Sequence, residues 1–216
     1  MPGRRPVELH DKAGIGALSD GIFGVSLTLL VLDVHLLGAS TAPLMVQLLA
    51  VWPRLLSFSL TFAVVAGYWT AYHRLLARIV AYDRMLLVTN FLFLALIVLT
   101  PFPTSVLNEE RLATRADALT AWVLYAGTLA LVGVTLAWLW QRARMRGLVD
   151  PSLDAAVAEY LLVRTLIAPA AFLLSIGVAW INLTIAYLTL LVILPAHAAA
   201  GRRYGWPAPS EGDARA

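Results

Sequence analysis

The sequence predicts an all-α membrane protein with six transmembrane helices, and three observations support this fold class. Of its 216 residues, 60% are hydrophobic and only 13% are charged, whereas soluble domains carry roughly 25% charged residues. Six apolar segments are each long enough to cross a bilayer, which takes about 20 residues in a helix. Lysine and arginine are concentrated in alternate connections between these segments. A soluble fold of this size could not bury so much apolar surface, so lipid must solvate most of it.

The six predicted spans follow one another along the chain with short connections. They cover residues 15–36, 53–73, 86–107, 118–140, 160–181 and 183–200. The apolar stretch 42–52 either extends the second span or lies at the membrane interface, with Pro53 marking the bend. A tight turn near Asn182 separates the last two spans.

The distribution of basic residues predicts that both chain termini are cytoplasmic. Thirteen of the 16 lysine and arginine residues lie before the first span, in the second and fourth connections, near the start of the fifth span, or after the sixth. The opposite side holds only Arg54, Arg111 and Arg115. We therefore predict a cytoplasmic segment at residues 1–13, a six-helix domain at 14–200, and a disordered cytoplasmic tail at 201–216.

Composition and motifs narrow the function classes. The chain has no cysteine, which excludes disulfides and thiolate metal sites. The pI near 9.5 is explained by the basic cytoplasmic connections, so it gives no reason to expect nucleic acid as a partner. No zinc-protease or serine-hydrolase motif is present, and we do not expect an enzyme.

Polar side chains inside the predicted spans are candidates for function, because a charge within the bilayer is costly. Asp20 in the first span, His73 at the end of the second, and Asn90 early in the third fall at the same depth. A buried Asp–His–Asn network is therefore expected near the inner leaflet. Trp69 shares a helix face with His73 and can join it. This network either holds the first three helices together or takes part in gating or proton transfer.

The first span has two distinct faces when it is placed on a helical wheel. Val25, Thr28 and Leu32 fall within an arc of roughly 60°, and Ser19 and Asp20 point well away from it. One face is thus polar, and the other is an apolar stripe with a single hydroxyl. The stripe either packs against neighbouring helices, with Thr28 bonded to the carbonyl of its own preceding turn at Gly24, or it lines a pore.

Three sequence stretches in the first half of the chain carry a resemblance to a known family, and the end of the third span, residues 101–107, is one of them. The first span, residues 18–34, resembles the Arg-x-x-x-Phe-Ser-Asp signature of the transmembrane protein 175 family of endolysosomal potassium channels and their bacterial relatives. Ser19 and Asp20 are kept, while Leu18 and Gly14 replace the phenylalanine and the arginine. Residues 68–90 resemble the family's Tyr-Trp-x-x-His-His-Arg stretch and the positions that follow it. Matching residues there are Trp69, His73, Arg74, Asp83 and Asn90, whereas Tyr72 replaces the first histidine.

The resemblance implies a homotetrameric potassium channel in the cell membrane, with the first helix lining the pore and no re-entrant filter loop. Carried onto this chain, Val25 and Leu32 would form hydrophobic constrictions, and Thr28 the selectivity-linked hydroxyl layer, with potassium ions passing near it. We expect modest selectivity for potassium over sodium and no cofactor besides the permeant ion. Ser19 and Asp20 would tie the first helix to its neighbours.

Two other functions remain open from the residues alone. A proton-conducting or proton-coupled pathway would use Asp20 and His73 and can be distinguished by its reversal potential. A secondary transporter is less favoured, because such proteins often contain internal repeats with matched breaks near the membrane centre, and no paired halves are visible in this sequence.

Overall fold

In the computed structural model, residues 9–35, 43–109 and 114–203 are described, and they form helices joined by short turns. Six segments are long and apolar enough to cross a membrane, and we refer to them as the first to sixth spans. These are Ala13–Asp33, Trp52–Arg78, Arg84–Leu107, Arg115–Met145, Ala155–Ala179 and Leu183–Arg203. The predicted number and order of spans are confirmed, and the chain is a multi-pass membrane protein.

The individual helices subdivide some of these spans. The first span combines α1 (Leu9–Leu29) with a 3-10 turn at Leu30–Asp33. α2 (Leu44–Ala50) precedes the second span, α3 (Trp52–Arg78), and the third comprises α4 (Arg84–Leu99) and α5 (Pro101–Leu107). The fourth and fifth are α6 (Arg115–Met145) and α7 (Ala155–Ala179). The sixth joins α8 (Leu183–Thr189), a 3-10 turn at Leu190–Val192, and α9 (Ile193–Arg203).

Side-chain caps determine where several helices begin. The carboxylate of Asp83 accepts a hydrogen bond from the backbone N–H of Leu86 at 2.6 Å, which starts α4. Asn182 caps α8 in the same way through the N–H of Ile185 at 3.1 Å. Such caps satisfy backbone donors that have no partner within the helix. The break between the fifth and sixth spans therefore lies at Asn182, where the sequence predicted a tight turn.

The apolar stretch at 42–52 forms a separate short helix instead of extending the second span. α2 ends at Ala50 and α3 begins at Trp52, with Pro53 in the first turn of α3. Proline fits there because its missing N–H would have had no helical partner. No residue of α2 is buried within the subunit.

The predicted terminal segments lie mostly outside the described residues. α9 continues to Arg203, slightly beyond the expected limit of the membrane domain. Residues 1–8 and 204–216 are not among those described, so the disorder expected for the tail stays a prediction.

The fourth span is the centre of the subunit, and large aromatic side chains surround it. Trp122, Tyr125 and Trp140 of α6 are almost completely buried, as are Phe93 of α4 and Phe172 of α7. The indole Nε1–H of Trp140 donates to the carbonyl of Ala158 at 3.0 Å, which joins α6 to α7. The third to fifth spans thus form a packed scaffold beside which the first span lies.

Gly133 marks the closest approach between the fourth span and its neighbours. A Cβ atom at this position would lie 2.7 Å from the Tyr68 hydroxyl and 2.7 Å from Cδ of Pro169. The Tyr68 hydroxyl in turn donates to the carbonyl of Leu129 at 2.8 Å, so it has little freedom to withdraw. Only glycine fits among these three spans.

Replacing Gly133 with alanine is expected to destabilise the protein by about 1–3 kcal/mol, because overpacking must push a rigid proline ring or break the Tyr68 hydrogen bond. Gly127→Ala is the matched control on the same helix, since a Cβ there meets nothing within 4 Å. Alanine favours helix over glycine, so the control should keep or gain stability. Thermal unfolding of both purified variants in detergent tests this. Equal midpoints would contradict the expected overpacking.

The expected cytoplasmic ends of the second to fourth spans are held together by one ion pair and a short backbone ladder. Arg142 of α6 contacts the carboxylate of Asp83 at 2.8 Å. Burial by itself would raise the pKa of Asp83, but the Leu86 N–H and the Arg142 guanidinium outweigh it and hold the pKa below its ordinary value. The N–H of Val80 also donates to the carbonyl of Leu148 at 2.9 Å.

Candidate ion pathway and its polar network

The two faces of the first span differ sharply in burial. Ser19, Phe23, Ser26 and Leu30 face the rest of the subunit, and each has at most 1% of its surface exposed. Phe23 packs between other aromatic rings, with its centroid 5.9 Å from that of Phe93. This inward face fixes the rotation of the helix about its axis.

The predicted stripe lies on the opposite face and is largely uncovered in the part of the chain that the structure describes. Val25 is 57% exposed and Leu32 is 70% exposed, and Thr28 between them is also exposed. Among the described residues these side chains therefore do not pack into a helix–helix seam of one subunit, while the alternative of ordinary packing against the helices of another subunit stays open. They face lipid, another subunit or a water-filled space.

The hydroxyl group of Thr28 is oriented by its own helix. Its Oγ1 donates a hydrogen bond to the carbonyl of Val25 at 2.8 Å, one position later than the Gly24 carbonyl considered from the sequence. Because the hydroxyl hydrogen is used in this bond, the lone pairs of Oγ1 are directed away from the backbone. The side chain therefore presents an oxygen acceptor on the exposed face, which is the chemistry that a metal cation requires.

Asp20, Trp69 and His73 form a first polar group between α1 and α3. The indole Nε1–H of Trp69 donates to Oδ1 of Asp20 at 2.9 Å, and Nε2 of His73 lies 3.1 Å from the same oxygen. The two rings lie on one face of α3, with centroids 4.5 Å apart. The side chains of Asp20 and His73 are 51% and 36% exposed, so this group lies at the subunit surface.

Ser19, Tyr72 and Asn90 form a second polar group, which is buried between α1, α3 and α4. The Tyr72 hydroxyl donates to Oδ1 of Asn90 at 2.9 Å, and the Ser19 hydroxyl lies 2.8 Å from the Tyr72 oxygen. Ser19 is also bonded to the carbonyl of Ile15 at 2.7 Å. Tyr72 is completely buried, so these contacts replace the water that its hydroxyl would otherwise bind.

The expectation of one buried Asp–His–Asn network needs correction in two respects. Asn90 bonds to Tyr72 and not to Asp20 or His73, and the Asp20–His73 pair is at the surface. The five predicted residues are brought together, but as two groups on adjacent faces of α3. Tyr72 was missed as a participant, although its place beside His73 in the family-like motif was a usable signal.

Removing the Tyr72 hydroxyl is expected to destabilise the protein by about 1–3 kcal/mol, because Tyr72→Phe leaves the buried Asn90 amide without its donor. Tyr82→Phe is the matched control. The Tyr82 hydroxyl is buried and has no hydrogen-bond partner in the described part of the chain, so its loss should cost little. Thermal unfolding in detergent compares the two. A control as unstable as Tyr72→Phe would assign the loss to ring packing instead of the hydrogen bonds.

The remaining acidic residue of the first span is tied to a neighbour. Asp33 accepts a hydrogen bond from the side-chain amide of Asn108. The carboxylate thereby anchors the C-terminal end of the first span to the C-terminal end of the third. Asp20 has no arginine or lysine partner among the residues whose side chains are described, and its contacts there are with Trp69 and His73.

The sequence of this chain is similar to a family of channels and to two bacterial potassium channels. Residues 15–101 match the family described as the endosomal/lysosomal potassium channel TMEM175. A potassium channel of Chamaesiphon minutus is 32% identical over 139 residues, which cover 63% of this chain and 68% of that protein. A potassium channel of Streptomyces collinus is 28% identical over 175 residues, covering 81% of this chain and 85% of the other.

Solved structures share the six-span fold. A lysosomal potassium-selective channel TMEM175 homologue from Chamaesiphon minutus superposes with a TM-score of 0.76 at 24% identity, covering 88% of this chain and 98% of the other. A variant of the potassium channel MtTMEM175, in complex with a nanobody–MBP fusion protein, gives a TM-score of 0.61 at 17% identity, covering 89% of this chain and 93% of the other. The likeness extends over both halves of the chain.

Proposed function

Because this chain belongs to the TMEM175 family of potassium channels, we propose that it conducts potassium through a pore lined by α1 from four identical subunits. The observation that carries the proposal is the exposure of Val25, Thr28 and Leu32 on a helix whose opposite face is fixed by buried contacts. One copy of this stripe cannot enclose a pathway. Closed cyclic symmetry around α1 is the usual way for identical chains to do so.

The side chains of the stripe would have two different functions along the pore. Rings of Val25 and Leu32 would narrow it and oppose wetting, which is how hydrophobic constrictions gate channels. A ring of Thr28 oxygens between them would replace part of the hydration shell of a passing cation. The stripe offers one layer of hydroxyl oxygens and no succession of carbonyl sites, so we expect potassium to be preferred over sodium only modestly.

The two polar groups beside α1 would hold the pore helix in place. Ser19 and Asp20 connect it to α3 from adjacent faces, and Asn90 extends the buried group to α4. We propose that both chain ends face the cytoplasm, so that residues 1–13 and 201–216 flank the membrane domain on that side. In a bacterial cell this would place the channel in the inner membrane.

Potassium flux from the purified full chain in liposomes tests the proposal. We expect current that reverses near the potassium equilibrium potential and a tetramer by mass measurement of the detergent complex. Protein-free liposomes control for leak. A monodisperse monomer that carries no potassium current would overturn both the pore and the assembly.

A second function, proton conduction, is favoured by the contact between Asp20 and His73. Their 3.1 Å separation joins two titratable side chains at the subunit surface, where protons can reach them. Opposed potassium and proton gradients separate the two readings, because the reversal potential follows the permeant ion. If the reversal potential tracks the proton gradient and is lost in Asp20→Asn, the proton pathway is the correct one.

A further inference from the structure

A cavity of about 740 Å³ lies at the end of the subunit where the third span finishes and the second begins. Residues of α2, α3, α5, α6 and α8 contribute to its walls. Its volume is within the range of roughly 300–1,000 Å³ that is usual for sites of small ligands. The exposed stripe of the first span and the two polar groups beside it contribute no residue to the described lining. The cavity is therefore separate from the candidate ion pathway.

The deeper part of this cavity is mainly apolar. Leu56 and Leu60 of α3, Leu107 of α5 and Tyr125 of α6 line it. The Tyr125 hydroxyl lies 3.1 Å from Oγ1 of Thr61, so it is already paired inside the protein. Walls of this kind favour hydrocarbon over water. The occupant must therefore have an apolar part.

The rim of the cavity carries one charge of each sign. Arg54, in the first turn of α3, and Glu109, just after α5, both line it. Nη1 of Arg54 donates to the carbonyl of His35 at 3.1 Å. A guanidinium has five N–H donors and a carboxylate has two acceptor oxygens, so each group can keep contacts within the protein and still bind a ligand. Arg54 and Leu60 are six residues apart, so the charged rim and the apolar interior are separated by about 9 Å along α3.

The two charges at the rim select the headgroup of an amphiphile. Glu109 repels a purely anionic headgroup, and Arg54 repels a purely cationic one, whereas a zwitterionic headgroup satisfies both. Guanidinium groups bind phosphate in a two-pronged geometry. A primary ammonium group has three N–H donors for a carboxylate, and the trimethylammonium group of choline has none. An ethanolamine phospholipid therefore fits the rim better than a choline phospholipid does.

We propose that this cavity binds a phosphatidylethanolamine molecule, with its phosphate at Arg54, its ammonium group at Glu109, and the start of an acyl chain against Leu60. Asn108 also lines the cavity, and its side-chain amide holds Asp33 at the C-terminal end of the first span. The bound lipid thus lies beside the residue that anchors the first span to the third. The site does not depend on which ion the protein conducts.

Native mass spectrometry of the purified full chain tests the headgroup. The protein is titrated separately with phosphatidylethanolamine, phosphatidylcholine and phosphatidylglycerol that carry the same acyl chains, and we expect the first to bind most tightly. Arg54→Gln and Glu109→Gln should each weaken its binding roughly fivefold, and Glu109→Gln should strengthen the binding of phosphatidylglycerol. Arg84→Gln is the matched control, because it removes an exposed charge at the opposite end of the subunit.

A second pair of variants tests the cavity itself and keeps both charges. Ser57 lines the cavity, so Ser57→Phe should fill part of it and weaken the binding of all three lipids. Ser59 is on the same helix, is exposed and lies outside the lining, so Ser59→Phe should bind lipid as the wild type does. Thermal unfolding in detergent checks that both variants are folded.

Four outcomes would overturn the lipid site. Equal affinity for phosphatidylglycerol and phosphatidylethanolamine in the wild type would remove the paired recognition, and an equal loss in Arg84→Gln would reduce the effect to general surface charge. Unchanged affinity in Ser57→Phe would place the lipid elsewhere. Glycerophosphoethanolamine, which has no acyl chain, should bind far more weakly, and equal binding would exclude the apolar interior. If Arg54→Gln does not fold, Glu109→Gln, at an exposed position, should still show the fivefold loss.

Discussion

Replacing Leu32 with alanine is expected to raise the basal potassium current about tenfold. In the proposed tetramer, four Leu32 side chains form a narrow apolar ring, and such rings exclude water and ions. Shortening each side chain widens the ring and lowers the barrier to wetting. A barrier reduction of only about 1.4 kcal/mol gives a tenfold increase in rate. The measurement is macroscopic current at constant protein density in a planar bilayer or in liposomes.

Leu29→Ala provides the matched control for this prediction. Leu29 is on the same helix and is 40% exposed, but on the wheel it lies at the edge of the exposed face, outside the arc shared by Val25, Thr28 and Leu32. Its truncation should leave the basal current unchanged. Equal currents in Leu32→Ala and the wild type would mean that the constriction lies elsewhere, and an equal rise in both variants would point to loosened helix packing.

Removing the Thr28 hydroxyl is expected to lower the potassium-to-sodium permeability ratio toward one. The hydroxyl oxygen is the polar atom that the exposed stripe offers to a cation, and its orientation is already set by the bond to the Val25 carbonyl. Without it, a cation at this level must keep its hydration shell, and the difference between dehydrating sodium and potassium no longer affects permeation. Bi-ionic reversal potentials measure the ratio directly.

Two conservative substitutions at position 28 separate chemistry from shape. Thr28→Val keeps the branched shape and removes the oxygen, so it should lose selectivity as Thr28→Ala does. Thr28→Ser keeps the oxygen and should retain most of the ratio. If valine preserved the ratio while alanine abolished it, pore width would be the selective property and the hydroxyl layer would play no part.

The elements that follow from local sequence properties could be predicted. Span number and order depend on hydropathy, which is a property of each segment by itself. The wheel correctly separated Thr28 and Leu32 from Ser19 because helix geometry fixes relative angles within one chain segment. The direction in which the stripe faces could not be derived in this way, since the buried face also carries large apolar side chains, Phe23 and Leu30, beside its serines.

The contacts between spans were harder to predict. Asp20, His73 and Asn90 do lie at similar depths, but a contact also depends on how each helix is rotated about its axis. Moving by one residue along α3 changes the direction of the side chain by about 100°. This rotation explains why Asn90 forms its hydrogen bond with Tyr72 and not with the adjacent His73. The close approach of Gly133 to Pro169 and Tyr68 depends in the same way on the packing of three spans. The sequence of any one span therefore does not indicate it.

The attachment of the first span at both of its ends has a consequence for how conduction can be switched. In its N-terminal half the span is bonded through Ser19 and Asp20, and at its C-terminal end through Asp33 to Asn108. A helix that is hydrogen-bonded near both ends can bend slightly, but it cannot rotate outward as a rigid body without breaking the hydrogen bonds at one end. Gating by wetting or by side-chain rotation leaves the hydrogen bonds at both ends intact, so the rate of channel opening should rise only gently with temperature. Outward movement of the whole helix would break hydrogen bonds, and its rate would depend steeply on temperature.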